Sequence, residues 1–179
     1  MLKIILLVVA VAIMLIFILA FAKPAIFRVV RKAEIKASPE SIFALLNDFH
    51  RWQAWSPWER MDDNLQREYS GSESGVGMKY AWQGNKKVGK GNMEIIESLP
   101  ASMLKIQLNF IEPFVSSNIV VFTLVPQGET TQITWLMEGP YHFISKLISV
   151  FMDMDKMVGK NLETGLNNMN EVLTKSSVN

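Results

Sequence analysis

Residues 103–110 read Met-Leu-Lys-Ile-Gln-Leu-Asn-Phe, with Leu104, Ile106, Leu108 and Phe110 on one parity and Met103, Lys105, Gln107 and Asn109 on the other. Such alternation marks a strand with one face buried and the other wet. The period of two continues outward in both directions. Met78, Tyr80 and Trp82 alternate with Lys79, Ala81 and Gln83, Gly84-Asn85 and Gly89 to Gly91 bound a turn, and Met93 and Ile95 begin the next strand. After Glu112-Pro113, residues Asn118 to Val125 form an apolar strand and Pro126-Gln127-Gly128-Glu129 a turn. Ile133, Trp135 and Met137 then share a face opposite Thr130, Gln132 and Thr134. Asn64 to Glu138 therefore predicts five or six consecutive strands joined by short turns, an antiparallel meander.

The flanks of the meander have a different period. Ile26 to Ala37 reads as a first strand, with Val29, Ala33 and Ile35 on one face and Arg28, Lys32, Glu34 and Lys36 on the other. Ser38-Pro39-Glu40 opens a short helix with Ser38 as N-cap, and Ile42, Phe43, Leu45, Leu46 and Phe49 form its apolar face. A Trp-rich segment around Pro57 follows as a second short helix or a turn. Beyond Gly139-Pro140, Phe143, Leu147, Phe151, Met154, Val158, Leu162, Leu166, Met169 and Leu173 step by three or four, which predicts one long amphipathic helix. Its stripe needs a partner, and the apolar face of the meander has the matching length. Gly159 and Gly165 each cost that helix about 1 kcal/mol relative to Ala, and so mark close packing or a bend. The fold class is α+β, an antiparallel meander gripping a long C-terminal helix with two short helices after the first strand.

A separate N-terminal element precedes this domain. Ile4 to Ala22 is a run of 19 residues without a charged, amide or hydroxyl side chain. As a helix it is roughly 29 Å long, the thickness of a bilayer core. The division expected is a transmembrane anchor at 1–22 and a folded domain at 23–179. Lys23, Arg28, Arg31, Lys32 and Lys36 follow the span, opposed by Glu34, so the positive-inside rule places the domain in the cytoplasm. Cleavage after the small-x-small sequence Ala20-Phe21-Ala22, or inverted insertion, would export it instead. Lys plus Arg number 18 against 17 Asp plus Glu, and without Lys3 the remainder is neutral, which argues against nucleic acid as a partner. There is no Cys, and two His, His50 and His142, cannot build a Cys/His zinc site or a thiol nucleophile, so neither a metal nor a cofactor is expected.

Ala37-Ser38-Pro39-Glu40-Ser41-Ile42-Phe43-Ala44-Leu45-Leu46-Asn47-Asp48-Phe49, then Trp52 and Trp55-Ser56-Pro57-Trp58, resembles the strand exit, first helix and tryptophan turn of the START-like helix-grip superfamily. That group includes polyketide cyclases/dehydrases and lipid-transport proteins, and the similar element order covers roughly residues 26–173. The resemblance implies a hydrophobic interior cavity. It carries over no catalytic residue, because the superfamily shares a cavity rather than an invariant reacting set. The membrane span is an addition to the minimal domain and speaks against a freely diffusing shuttle.

Each conspicuous cluster has a bland reading beside a functional one. Trp52, Trp55 and Trp58 either stack on a flat ligand or plug one end of the core. Met152, Met154 and Met157 form a pliable wall or fill space. Asp153 and Asp155 diverge on a helix, so with Glu163 they read as solvated charge rather than a cation site. His50 and His142 lie at element edges and read as surface or capping residues rather than proton shuttles. Gly71, Gly75 and Gly77 lack the helix and Lys-Ser/Thr of a phosphate loop and read as a hairpin turn. Asn85-Lys86-Lys87 with Lys90 is a basic tip, read as a solvated hairpin end or a contact for anionic lipid.

The expected activity is binding of a hydrophobic or amphipathic small molecule, lipid-like or polycyclic, by burial of its apolar area at roughly 25 cal/mol per Å². The wall predicted from inward parity is Tyr80, Trp82, Phe110, Trp135, Met137, Phe151 and Met154, with Trp55 at the mouth. The competing readings are a cyclase-like enzyme, for which the inward positions offer few proton-transfer groups, and a module that docks a protein partner at the membrane through residues 52–58.

Overall fold

The structure, a computed structural model, describes residues 1–141, 143–151 and 153–176, leaving aside the side chains at 151, 154 and 176. A helix α1 (Leu2–Ala22) leads through three residues into β1 (Ile26–Ile35) and α2 (Pro39–Leu46). Two 3-10 turns follow, Phe49–Ala54 and Pro57–Arg60. Next come β2 (Gln66–Gly71), β3 (Met78–Gln83), β4 (Lys90–Leu99), β5 (Met103–Glu112), β6 (Ser116–Gln127) and β7 (Thr130–Pro140), then α3 (Phe143–Phe151) and α4 (Met154–Ser176). The strands make a seven-stranded sheet in the order β1-β7-β6-β5-β4-β3-β2. The six strands of the meander pair in sequence, and β1 closes against β7 at the edge, every pairing antiparallel.

Local chemistry explains the ends of the elements. Ser38 Oγ accepts from the Ser41 N–H (3.3 Å), and Pro39 follows at the first helical position, as an N-cap requires. The Trp segment folds as the two 3-10 turns rather than a longer helix, and Asp48 caps the first by accepting from the His50 N–H (2.9 Å). Pro126 and Gln127, expected in a turn, extend β6, and Gly128 alone takes the left-handed backbone (φ +65°) of the tight connection to β7.

The apolar face of the sheet is covered by α4 along β1 and by α2 over β5 and β6. Ile95, Leu104, Ile106, Phe122 and Ile133 from the strands meet Ile42, Leu46, Leu162, Leu166 and Met169 from the helices, all buried. The two glycines of α4 permit its close approach. A β-carbon on Gly165 would lie 2.8 Å from Trp135 Cζ3 and 3.3 Å from Pro57 Cδ, and one on Gly159 would collide with the Arg31 guanidinium. Arg31 shares the inward parity of β1 and spans to α4, donating to Glu163 Oε1 (2.5 Å) and to Asp155 Oδ1 and Oδ2 (3.0 and 2.9 Å).

One expectation is revised by the C-terminal region. The helical period from Phe143 to Leu173 is carried by two helices. Asp153 starts the second one, its Oδ1 accepting from the N–H groups of Asp155 (3.1 Å) and Lys156 (3.3 Å), the role of an N-cap. Only α4 lies along the sheet, while α3 packs on α1, where the Phe143 ring stacks on Phe17 (6.0 Å) and meets Phe21 (5.5 Å).

Candidate functional site

The inner face of the sheet changes character along the strands. Deep in the grip the Trp turn packs on β6 and β7. The Trp55 ring lies 5.6 Å from Trp135, which lies 4.7 Å from Phe122, and Trp52 closes on Trp55 at 4.8 Å. Trp52 Nε1 donates to the Leu46 carbonyl (3.0 Å) and Trp55 Nε1 to that of Leu45 (3.4 Å), so both indoles are satisfied within the protein. Both are also buried, and residues 52–58 offer no broad apolar patch for a protein partner.

Towards the start of β1 the packing opens. Cross-strand register places Phe27 opposite Gly139, Leu108 opposite Asn118 and Met93, and Tyr80 between Met93 and Tyr69. One row further out, Trp82 and Phe110 flank Gly91 and meet edge to face at 5.8 Å, both only partly buried. A β-carbon at Gly91 would collide with the Trp82 ring, so glycine there is what lets the indole lie across the strand.

Two polar atoms break this apolar interior. Asn118, 2% exposed, donates through Nδ2 to Ser116 Oγ (3.1 Å), but its Oδ1 has no hydrogen-bond partner among the described residues. The same is true of Trp135 Nε1, also 2% exposed. Asn118 lies on the strand-end side of Met137 and Trp135 on the deep side, so one unpaired acceptor and one unpaired donor bracket Met137 along the inner face. An unmade hydrogen bond of this kind costs about 1–3 kcal/mol.

A third polar group was not legible in the sequence. Glu59, on the second 3-10 turn, has a side chain only 6% exposed. Its Oε2 accepts from Arg67 Nε (2.6 Å) and its Oε1 from the Tyr80 hydroxyl (2.6 Å). Burial, and then the bond to Glu59, push the Tyr80 hydroxyl well above its ordinary value, so it stays a neutral donor. With both oxygens engaged, Glu59 is positioned as a strut between the Trp turn and β2–β3 rather than as a free base. A 3-10 turn has no long-range parity from which its direction could be read. Arg67 alone left a trace, two residues before Tyr69 on the inward side of β2.

An open groove of about 630 Å³ lies at the start of β1, lined by Pro24, Phe27, Arg28, Val29, Ser149 and Asp155 among others. A second hollow of about 420 Å³ lies at α2, bounded by Phe43, Asn47, Arg51 and Pro100. Of the remaining candidates, His50 is exposed, stacked on Tyr69 (4.1 Å) and bound to Asp48 (2.8 Å). His142 and Met152 lie outside the described residues, as do the side chains of Phe151 and Met154. Gly71, Gly75 and Gly77 shape the β2–β3 hairpin, with no helix after them. Among the described residues no cluster of three or more His, Asp or Glu is placed to hold a metal.

Comparison with known proteins agrees with this architecture. A protein from Mesorhizobium loti superposes with a TM-score of 0.62 at 16% identity, covering 83% of this chain and 98% of that one. A protein from Nitrosospira multiformis gives 0.61 at 14% identity over 86% and 100% of the two chains. The Aha1 dimer from Colwellia psychrerythraea gives 0.55 at 17% identity over 82% and 96%. At these identities the likeness is one of fold. None of the curated proteins matches the sequence. Residues 27–174, from the first inward side chain of β1 to near the end of α4, match the family described as polyketide cyclase / dehydrase and lipid transport, and with a seven-stranded sheet gripping a C-terminal helix the chain belongs to that family.

Proposed function

We propose that this protein is held in a membrane by α1 and binds a hydrophobic or amphipathic small molecule inside the grip. The carrying observation is the pair of buried, unpartnered polar atoms, Asn118 Oδ1 and Trp135 Nε1, on the largely apolar inner face of the sheet. A ligand bearing a hydroxyl can donate to the first and one bearing a carbonyl or hydroxyl oxygen can accept from the second, its hydrocarbon body displacing the Met137 side chain that lies between them. The groove at Phe27 and Val29 supplies an entrance, and the lipid transport named in the family description fits the same chemistry. Trp82, Phe110, Trp135 and Met137 form the wall in this reading, with Trp55 and Tyr80 packed against it. The anchor is residues 1–22 and the binding domain 23–179. The domain faces the cytoplasm, on the charge asymmetry around α1.

Uptake of a fluorescent fatty-acid or polycyclic probe by the full chain in detergent tests the reading. Trp82→Ala and Trp135→Ala should weaken uptake by about 1–3 kcal/mol each, with circular dichroism verifying the fold, while His50→Ala should leave it unchanged. Folded tryptophan variants with wild-type uptake would sink the cavity reading. Turnover of a bound substrate would replace binding with catalysis.

A further inference from the structure

Cross-strand register gathers four separate segments at one end of the sheet. Ile26 pairs with Pro140, Phe110 with Ser116, and Gln83 with Lys90, so the start of β1, the end of β7, the β5–β6 turn and the β3–β4 turn all lie together. This end is also where α1 arrives. Residues 23–25 alone separate Ala22 from β1, a reach of at most about 10 Å. Exposed apolar side chains concentrate here, with Ile26 at 61%, Ile111 at 43%, Phe114 at 57% and Val115 at 77%, joined by Phe143 and Ile144 of α3. The opposite end carries Val76, Ile96, Leu99 and Val125, spread over separate strands and turns, whereas Ile111, Phe114 and Val115 share one tip that α3 adjoins through the end of α1.

The position of α3 extends the pattern. Phe143 contacts Phe17 and Phe21, Ala20 is fully buried, and Lys146 Nζ donates to the Lys23 carbonyl (3.0 Å). Phe17 lies five residues inside the end of α1, about 7.5 Å along its axis, so the first turn of α3 sits beside the membrane helix and not beyond it. The β3–β4 turn adds exposed Lys86 and Lys87, with Lys90 behind them, while Glu112 is the carboxylate of the β5–β6 turn.

We infer that this end of the sheet docks into the bilayer surface, with the β5–β6 tip at Ile111, Phe114 and Val115 and the first turn of α3 entering the acyl boundary. Lys86 and Lys87 then face anionic headgroups, and the mouth of the grip opens onto lipid. The inference rests on the reading of α1 as a membrane span, because the short connection is what holds this face against the bilayer. An apolar tip of this kind inserts only to the headgroup–acyl boundary. Charges on the adjacent hairpin add attraction to an anionic surface.

The absence of cysteine allows single labelling sites in the full chain, reconstituted into phosphatidylcholine/phosphatidylglycerol vesicles. An environment-sensitive fluorophore at Phe114→Cys should shift to the blue and be quenched by lipids carrying a nitroxide near the headgroup. The same fluorophore at Val76→Cys, at the far end, should do neither. Equal, water-like emission at both sites, with the chain retained in the membrane after carbonate extraction, overturns the docking and leaves the anchor standing. Loss of the chain from the membrane on extraction overturns the anchor instead, and this inference with it. A blue shift at Phe114→Cys that grows with protein-to-lipid ratio and resists lipid-borne nitroxide assigns the face to a second copy of the chain, and overturns lipid as the occupant.

Discussion

Gly165 shows at a single residue how helix propensity yields to packing. Alanine would favour an isolated α4 by about 1 kcal/mol, yet its β-carbon would meet the edge of Trp135. That indole cannot swing aside, since Phe122 lies 4.7 Å away on one side and Trp55 5.6 Å on another. Gly165→Ala should therefore lower stability by about 1–2 kcal/mol net, and a raised melting temperature would refute the close approach. Asn118 has the opposite balance. Asn118→Leu removes an unpaired buried acceptor at the loss of one bond to Ser116, so the ligand-free domain should melt higher, while selectivity for hydroxylated over plain hydrocarbon probes disappears. A melting point several degrees lower would make the amide a structural group. The sequence marked Gly165 as a close contact or a bend because glycine inside a helical period is itself a signal. It gave no warning of Asn118, whose missing partner is a property of the folded surroundings.

At the scale of elements, alternation named the strands because a half-buried strand must alternate, and β5 runs over Met103–Glu112 around the residues that showed it most clearly. The same logic could not say which surface a helical stripe meets. α3 and α4 share one unbroken period, but Phe143 turns to α1 and Leu162 to the sheet, and the break is set by one capping carboxylate, Asp153. Arg31 was obscured for a related reason, since a cation on the inward face of β1 makes sense only when Gly159 leaves room and Asp155 and Glu163 receive it. Hydrogen bonding from Arg31 holds the Asp155 carboxyl below its ordinary value. The stabilisation it lends is therefore complete above about pH 4 and fades as pH falls through the lowered folded value. Asp155 is more than half exposed, so screening keeps the pair to about 0.5–1 kcal/mol. Melting curves of the native chain and Asp155→Asn should differ by this amount at pH 6 and converge towards pH 2. A gap that persists in acid would show that the carboxylate charge is not what matters.

The whole molecule joins two regions whose apolar surfaces face opposite ways. In the domain the apolar surface is turned inward, whereas along α1 nearly every side chain is exposed and Ala20 alone is buried. A helix of 21 residues is about 32 Å long, enough to cross a hydrocarbon core of about 30 Å. Leaving that surface in water would be unfavourable, since a central Leu, Ile, Phe or Val contributes about 0.3–0.6 kcal/mol to insertion. α3 packs against its last turns rather than wrapping it, so the domain does not supply the missing burial. The full chain should accordingly stay with membranes through alkaline carbonate extraction, and removal of residues 1–22 should release it to the supernatant. Recovery from cells of a mature chain beginning at Lys23 would mean that the segment is a cleaved leader, and the binding site we propose would then face solution rather than the bilayer.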